Sequence, residues 1–198
     1  MRKRLITHQA TNSVEAYPDW LALEEVASVE VTSEAKGFPV EAALSSDGEP
    51  GWKADTPDPQ TIRLLFDHPQ TIRAIRLVFR EDNSARTQEF VLRWLPAGAA
   101  DWKDVVRQQW NFSQPHAALE CEEYKVDLAS AAALELTINP DISRPGARAS
   151  LERLQLSVHQ GINPSRRNTL CRTSSWKILL STQPSRLLEP HSKRSGTC

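Results

Sequence analysis

Apolar residues in this chain recur at every second position, in short runs. Val29, Val31 and Ser33 alternate with Glu30 and Thr32, and Ile62, Leu64 and Phe66 alternate with Arg63 and Leu65. Ile75, Leu77 and Phe79 point one way if Arg76, Val78 and Arg80 point the other. The same rhythm runs through Phe90, Leu92 and Trp94, through Leu134, Leu136 and Ile138, and through Leu154, Leu156 and Val158. A period of two sends successive side chains to opposite faces of a strand, so each apolar set predicts one buried face. Trp102–Trp110 and Tyr124–Leu128 carry the same signal more faintly.

Turn chemistry separates the runs. Asp47-Gly48-Glu49-Pro50-Gly51, Pro57-Asp58-Pro59, Asp67-His68-Pro69, Pro96-Ala97-Gly98 and Asn139-Pro140-Asp141 all hold residues that favour turns. Leu21–Val26 reads as one helical turn with Asp19 as its N-cap. No long run of helical period lies between the strands, which excludes alternating strand–helix architectures. About eight short strands punctuated in this way predict an all-β fold, an antiparallel sandwich of jelly-roll type. The predicted organisation is a leader over 1–20, the sandwich over 21–158 and a tail over 159–198.

Charge sharpens the last boundary. The formal net charge is -1, yet acids exceed lysine plus arginine through Gln160, and seven basic residues face only Glu189 after it. The tail is rich in Ser, Arg and Pro, with one apolar cluster at Trp176–Leu180. It is expected to be disordered. Two readings stand for it: an anchor for nucleic acid or another acidic partner, or sequence read past a domain's natural end in another frame. Three cysteines, Cys121, Cys171 and Cys198, show no metal or redox spacing, so a reduced thiol is expected. The N-terminus lacks the apolar core of a secretory signal. No run approaches a membrane span. A cytoplasmic location is the resulting expectation.

The chemistry points to binding rather than turnover. There is no Gly-x-Ser-x-Gly, no glycine-rich phosphate loop and no His-Glu-x-x-His. The five histidines are scattered singly. Two segments concentrate recognition chemistry. Trp52 follows a tight turn and either stacks on a sugar ring or plugs the sandwich. Between two strands, Arg80, Asn83 and Arg86 offer guanidinium forks and an amide suited to hydroxyl pairs or carboxylates, or else form an ordinary solvated loop. Trp110 and Asn111 offer a similar combination, with the same structural alternative.

In order along the chain, Pro39-Val40-x-Ala42-Ala43-Leu44, Asp47-Gly48, Trp52-Lys53-Ala54 and Pro59-Gln60-Thr61-Ile62 resemble the first half of a discoidin domain. That is the coagulation factor 5/8 C-type family, with its galactose-binding-domain-like jelly roll. Leu77-x-Phe79-Arg80 followed by Asn83 resembles the stretch where sugar-binding members place an Arg and an Asn on the ligand. Phe90-x-Leu92, Asp101-Trp102-x-x-Val105 and Ala149-Ser150-Leu151-x-x-Leu154 resemble later strands. The resemblance spans residues 21–158. It implies a non-catalytic carbohydrate-binding module whose ligand residues are Trp52, Arg80, Asn83, Arg86, Trp110 and Asn111. The same loops also suit an intracellular protein-interaction or scaffold module, so the expected partner is a glycan or a protein. Many members hold a structural calcium between the Asp-Gly loop and a Glu of the last strand. Here Arg153 stands in that Glu's place and no Thr precedes Trp52, so no metal or other cofactor is expected.

Overall fold

The computed structural model describes residues 20–45, 50–113, 116 and 118–159. The leader before Trp20, its Asp19 cap, the Asp47-Gly48 turn and the tail beyond His159 lie outside the described residues. Trp20, assigned above to the leader, already bridges Ser157.

The elements are α1 (Leu23–Val26), β1 (Ala27–Val31), α2 (Glu41–Leu44), β2 (Trp52–Lys53), β3 (Gln60–Arg80), β4 (Arg86–Pro96), β5 (Lys103–Phe112), β6 (Leu119–Asn139), β7 (Ser150–Leu151) and β8 (Arg153–Ser157). Every strand pair is antiparallel. The cap residue of α1 is Ala22, with no side-chain cap.

Two expected boundaries are absent. Asp67-His68-Pro69 does not end a strand, and the two runs around it form one strand of 21 residues, β3. The runs at Tyr124–Leu128 and Leu134–Ile138 likewise belong to a single β6. The reason lies in the pairing. Residues 60–65 of β3 face 133–138 of β6, residues 74–80 face 119–125, and the register slips between Leu65 and Ala74. Pro69 falls inside the slip, where its missing N–H costs no ladder bond. Ser130 sits at the same corner of β6 with φ 59°. The two long strands thus carry the sheet round a bend, a common way to build two facing layers.

One layer runs β1, β3, β6, β4, β5. The other is formed by β8, the second half of β3 and the first half of β6. The alternating residues meet between them: Ile62, Leu64, Ile75, Leu77, Phe79, Phe90, Leu92, Leu134, Leu136, Ile138, Leu154 and Leu156 are all buried. Phe79 and Phe90 touch across the layers, ring centroids 5.1 Å apart. Trp94 packs only partly against this core. Cys121 is disulfide-bonded, not the reduced thiol expected. Among the described residues no helix is long and apolar enough to cross a membrane.

Outside this core, Glu135 is 3% exposed although strand parity turns it away from the apolar face. Arg63 and Arg93 both hydrogen-bond its carboxylate. Their guanidinium groups also lie over the Trp102 ring, at 5.5 and 5.9 Å. Burial alone would push the Glu135 carboxyl up, but the two arginines outweigh it and hold it below its ordinary value.

The small β2–β7 sheet is pinned by Gly51, whose φ is +78°. A Cβ there would stand 2.8 Å from the Leu151 carbonyl oxygen and 2.9 Å from the Glu152 Cα. Gly51→Ala is therefore expected to cost about 1–3 kcal/mol from crowding against backbone that cannot step aside. Chemical denaturation of the two forms measures it, and equal midpoints would contradict the close approach.

Candidate functional site

Beside that sheet, at one end of the sandwich, lies an open groove of about 760 Å³. Four segments build it. The end of β3 and the loop after it supply Arg80, Asp82 and Asn83; the loop between β1 and α2 supplies Phe38; the turn before β2 and β2 itself supply Pro50 and Lys53; the run through β7 supplies Arg148 and Glu152. Strand parity explains Arg80. Phe79 faces the core, so the next side chain turns outward, and it is 39% exposed.

Arg80 is held in place. Its guanidinium pairs with Glu152, with Nη2 donating to Oε1 at 3.3 Å, and Nη1 stands 3.9 Å from Asp82. The following loop is fixed by Glu81, whose Oε1 accepts from the backbone N–H groups of Asn83 and Ser84 at 2.8 and 3.2 Å. That arrangement leaves the Asn83 side chain at the exposed rim. Phe38 is half-buried, with the Lys53 ammonium 4.5 Å from its ring centroid. Arg148 approaches Asp55 at 3.7 Å. Lys53, Arg80 and Arg148 thus share the groove lining with Glu81, Asp82 and Glu152.

The six residues singled out by sequence divide into two groups. Arg80, Asn83 and Trp52 line the groove, but Trp52 is only 1% exposed and its indole N–H donates to the Ser33 carbonyl at 3.0 Å. It plugs the sandwich, and its ring faces are not open for stacking. Arg86, Trp110 and Asn111 are not among the groove residues. Arg86 opens β4 facing inward, 4% exposed, paired with Glu81 at 2.8 Å and donating to the Pro140 carbonyl at 2.6 Å. Burial pushes its guanidinium down and Glu81 opposes the shift. Trp110 is half-buried, its indole N–H wholly so, and Asn111 accepts from the Thr87 hydroxyl at 2.7 Å.

Sequence reading missed Phe38, Lys53, Asp82, Arg148 and Glu152. Phe38 lies in no alternating run, and Arg148 and Glu152 meet the β3 loop only through folding.

No family model and no curated protein sequence matches the chain. Solved structures do. A pectin-binding carbohydrate-binding module aligns at a TM-score of 0.50 and 15% identity, over 66% of this chain and 89% of that one. A Ruminococcus gnavus GH29 fucosidase, in complex with fucose, aligns at 0.50 and 13%, over 67% of this chain and 25% of that one. The ZmpB protein of Clostridium perfringens, with its CBM32-1, CBM32-2 and M60 catalytic domains, aligns at 0.50 and 13%, over 71% and 15%. The fold is galactose-binding-domain-like. In the last two proteins the match therefore spans a small part of a much longer chain. Within the galactose-binding-domain-like fold a calcium site would need several oxygen ligands. Among the described residues no three His, Cys, Asp or Glu side chains cluster, and the Asp47-Gly48 loop to which the resemblance gives the ion lies outside them.

Proposed function

We propose that the chain is a non-catalytic carbohydrate-binding module and that the groove beside β7 holds one neutral sugar unit. The observation that carries the reading is the Arg80–Glu152–Asp82 cluster in a groove that Phe38 also lines. Donors and acceptors stand side by side there, which suits vicinal hydroxyls, each of which donates and accepts. Phe38 supplies an apolar surface for the C–H face of a ring. The pairing of opposite charges leaves no strong excess of either sign, which favours an uncharged ligand over an acidic one. A neighbour of the same fold, a pectin-binding module, supports a carbohydrate ligand in general, while the uncharged class rests on the groove's charge balance alone. Because the groove is open, the ligand stays partly in water, and affinity is weak.

A glycan array followed by calorimetric titration tests this. Arg80→Ala is expected to weaken binding by about 1.5–3 kcal/mol, and Asn83→Ala by about 0.5–1.5 kcal/mol. Arg107→Ala, on an exposed side chain of β5 outside the groove, is expected to leave affinity unchanged. If no glycan binds, or if neither groove variant alters binding, the reading fails. A protein ligand captured through the same residues would replace it with an interaction module.

A further inference from the structure

The inward face of β6 holds an anomaly. The alternation that elsewhere sends Leu, Ile and Phe between the layers here sends Glu120, Glu122 and Tyr124, all buried. Glu122 accepts from the Gln108 amide, and the Tyr124 hydroxyl donates to Gln108 Oε1 at 3.0 Å. On β3 the register neighbours of the two acids are Phe79 and Leu77, both apolar. On β4, Gln88 is fully buried with neither amide atom hydrogen-bonded, and on β5 the Trp110 indole N–H is also without a partner. Arg86, the inward-facing cation of β4, is engaged by Glu81 and the Pro140 carbonyl. Two carboxyls thus share a buried face on which the inward-facing cation of β4 is engaged by other groups.

Two full negative charges in such a place would lack compensation. Burial first, then Glu122, pushes the Glu120 carboxyl up to about 9. At neutral pH Glu120 therefore keeps its proton, and the face is spared one of its two possible charges. Burial also pushes the Tyr124 hydroxyl up, which keeps it protonated over the same range.

This pair lies beneath the groove rim. Leu119 pairs with Arg80, and the Glu81 N–H donates to the Ala118 carbonyl at 2.8 Å. Glu81 in turn holds the backbone of Asn83 and Ser84. We propose that the buried Glu120, beside Glu122, is a proton-dependent latch: while Glu120 is protonated the start of β6 stays docked on β3, and its ionisation loosens that segment together with the 81–84 rim. The consequence for ligand binding rests on the groove reading above; the latch itself does not.

The sign follows from linkage. Folded Glu120 keeps its proton far above the ordinary carboxylate range, so the folded state binds more protons than the unfolded one up to about pH 9. Stability contributed by this group falls as pH rises through that window and levels off beyond it.

Amide hydrogen exchange of the full chain, corrected for intrinsic rates, tests the latch without any ligand. Wild type, Glu120→Gln and Glu122→Gln are compared at about pH 7 and about pH 10, with β1 as internal reference. In the wild type, opening of 118–122 and 81–84 is expected to grow roughly tenfold or more relative to β1, and in Glu120→Gln to stay flat. Equal growth in all three proteins, or growth shared evenly with β1, overturns the proposal. If Glu120→Gln does not fold, Glu122→Gln carries the same comparison, and a wild type without localised opening overturns it alone. A failed glycan titration leaves an observed latch standing, and a flat exchange profile leaves the groove standing.

Discussion

Trp52→Ala is expected to lower stability by about 3–5 kcal/mol, the usual cost of emptying a large aromatic site in a core. Trp52 is among the largest fully buried side chains, and β2 has only two residues with which to hold its place. Trp52→Phe keeps most of the apolar ring and is expected to cost less than Trp52→Ala, with the lost N–H bond to Ser33 contributing about 0.5–1.5 kcal/mol. Urea unfolding of the three proteins measures both effects. Sugar affinity, taken where each variant remains folded, is expected to change little. Normal stability with abolished sugar binding would reverse the assignment and make Trp52 a stacking platform.

Removing both arginines from Glu135, as Arg63→Met with Arg93→Met, is expected to cost about 3–5 kcal/mol. The carboxylate would keep its buried position and lose its charged donors. Either single variant is expected to cost less, since the other guanidinium remains. The pH dependence carries a second signature. In the wild type the depressed Glu135 value stabilises the fold above the ordinary carboxylate range, and that contribution disappears as acid protonates the folded group. In the double variant burial acts unopposed and raises the value. The Glu135 contribution then changes sign, weakening as pH rises through the ordinary carboxylate range. Adding Glu135→Leu to the double variant is expected to recover stability, because no buried charge remains. Thermal melts between about pH 3 and pH 7 decide the matter. A double variant as stable as wild type would show that the carboxylate finds water.

Strand parity was legible in the sequence because most strands bury one face only. Ile75, Leu77 and Phe79 are buried as the alternation requires, and Arg80 turns outward for the same reason. The bends in β3 and β6 were not legible. Asp67-His68-Pro69 carries the composition of a turn, and local chemistry cannot tell a chain reversal from a corner where pairing lapses. The buried acids were hidden in a different way. Glu120 and Glu122 look like solvated positions, so alternation alone assigns their face to water. In the groove, Arg80 and Asn83 were legible from their place at a strand end. Phe38 and Glu152 were not, because they reach the groove from segments far from the β3 loop in sequence. Trp52 left stacking and plugging open until burial separated them.

The two strands that turn the corner also constrain the chain during its synthesis. Arg63 meets Glu135 across 72 positions, and Arg76 meets Gln155 across 79. Neither layer has its full set of strands when β3 leaves the ribosome, because both await β6. Contacts so distant in sequence close slowly, on a scale of about milliseconds to seconds. Meanwhile the edges of β3 that await β6 and β8 stand unpaired, a hazard for aggregation. Its sequence carries a safeguard: Arg63, Arg73, Arg76 and Arg80 are spaced along it among the apolar residues. Like charges repel a second nascent copy, and four guanidinium groups deter the edge-to-edge stacking that the alternating apolar residues invite. The arginines that later bind Glu135, Asp127, Glu123 and Glu152 thus keep the strand soluble until those partners have been made.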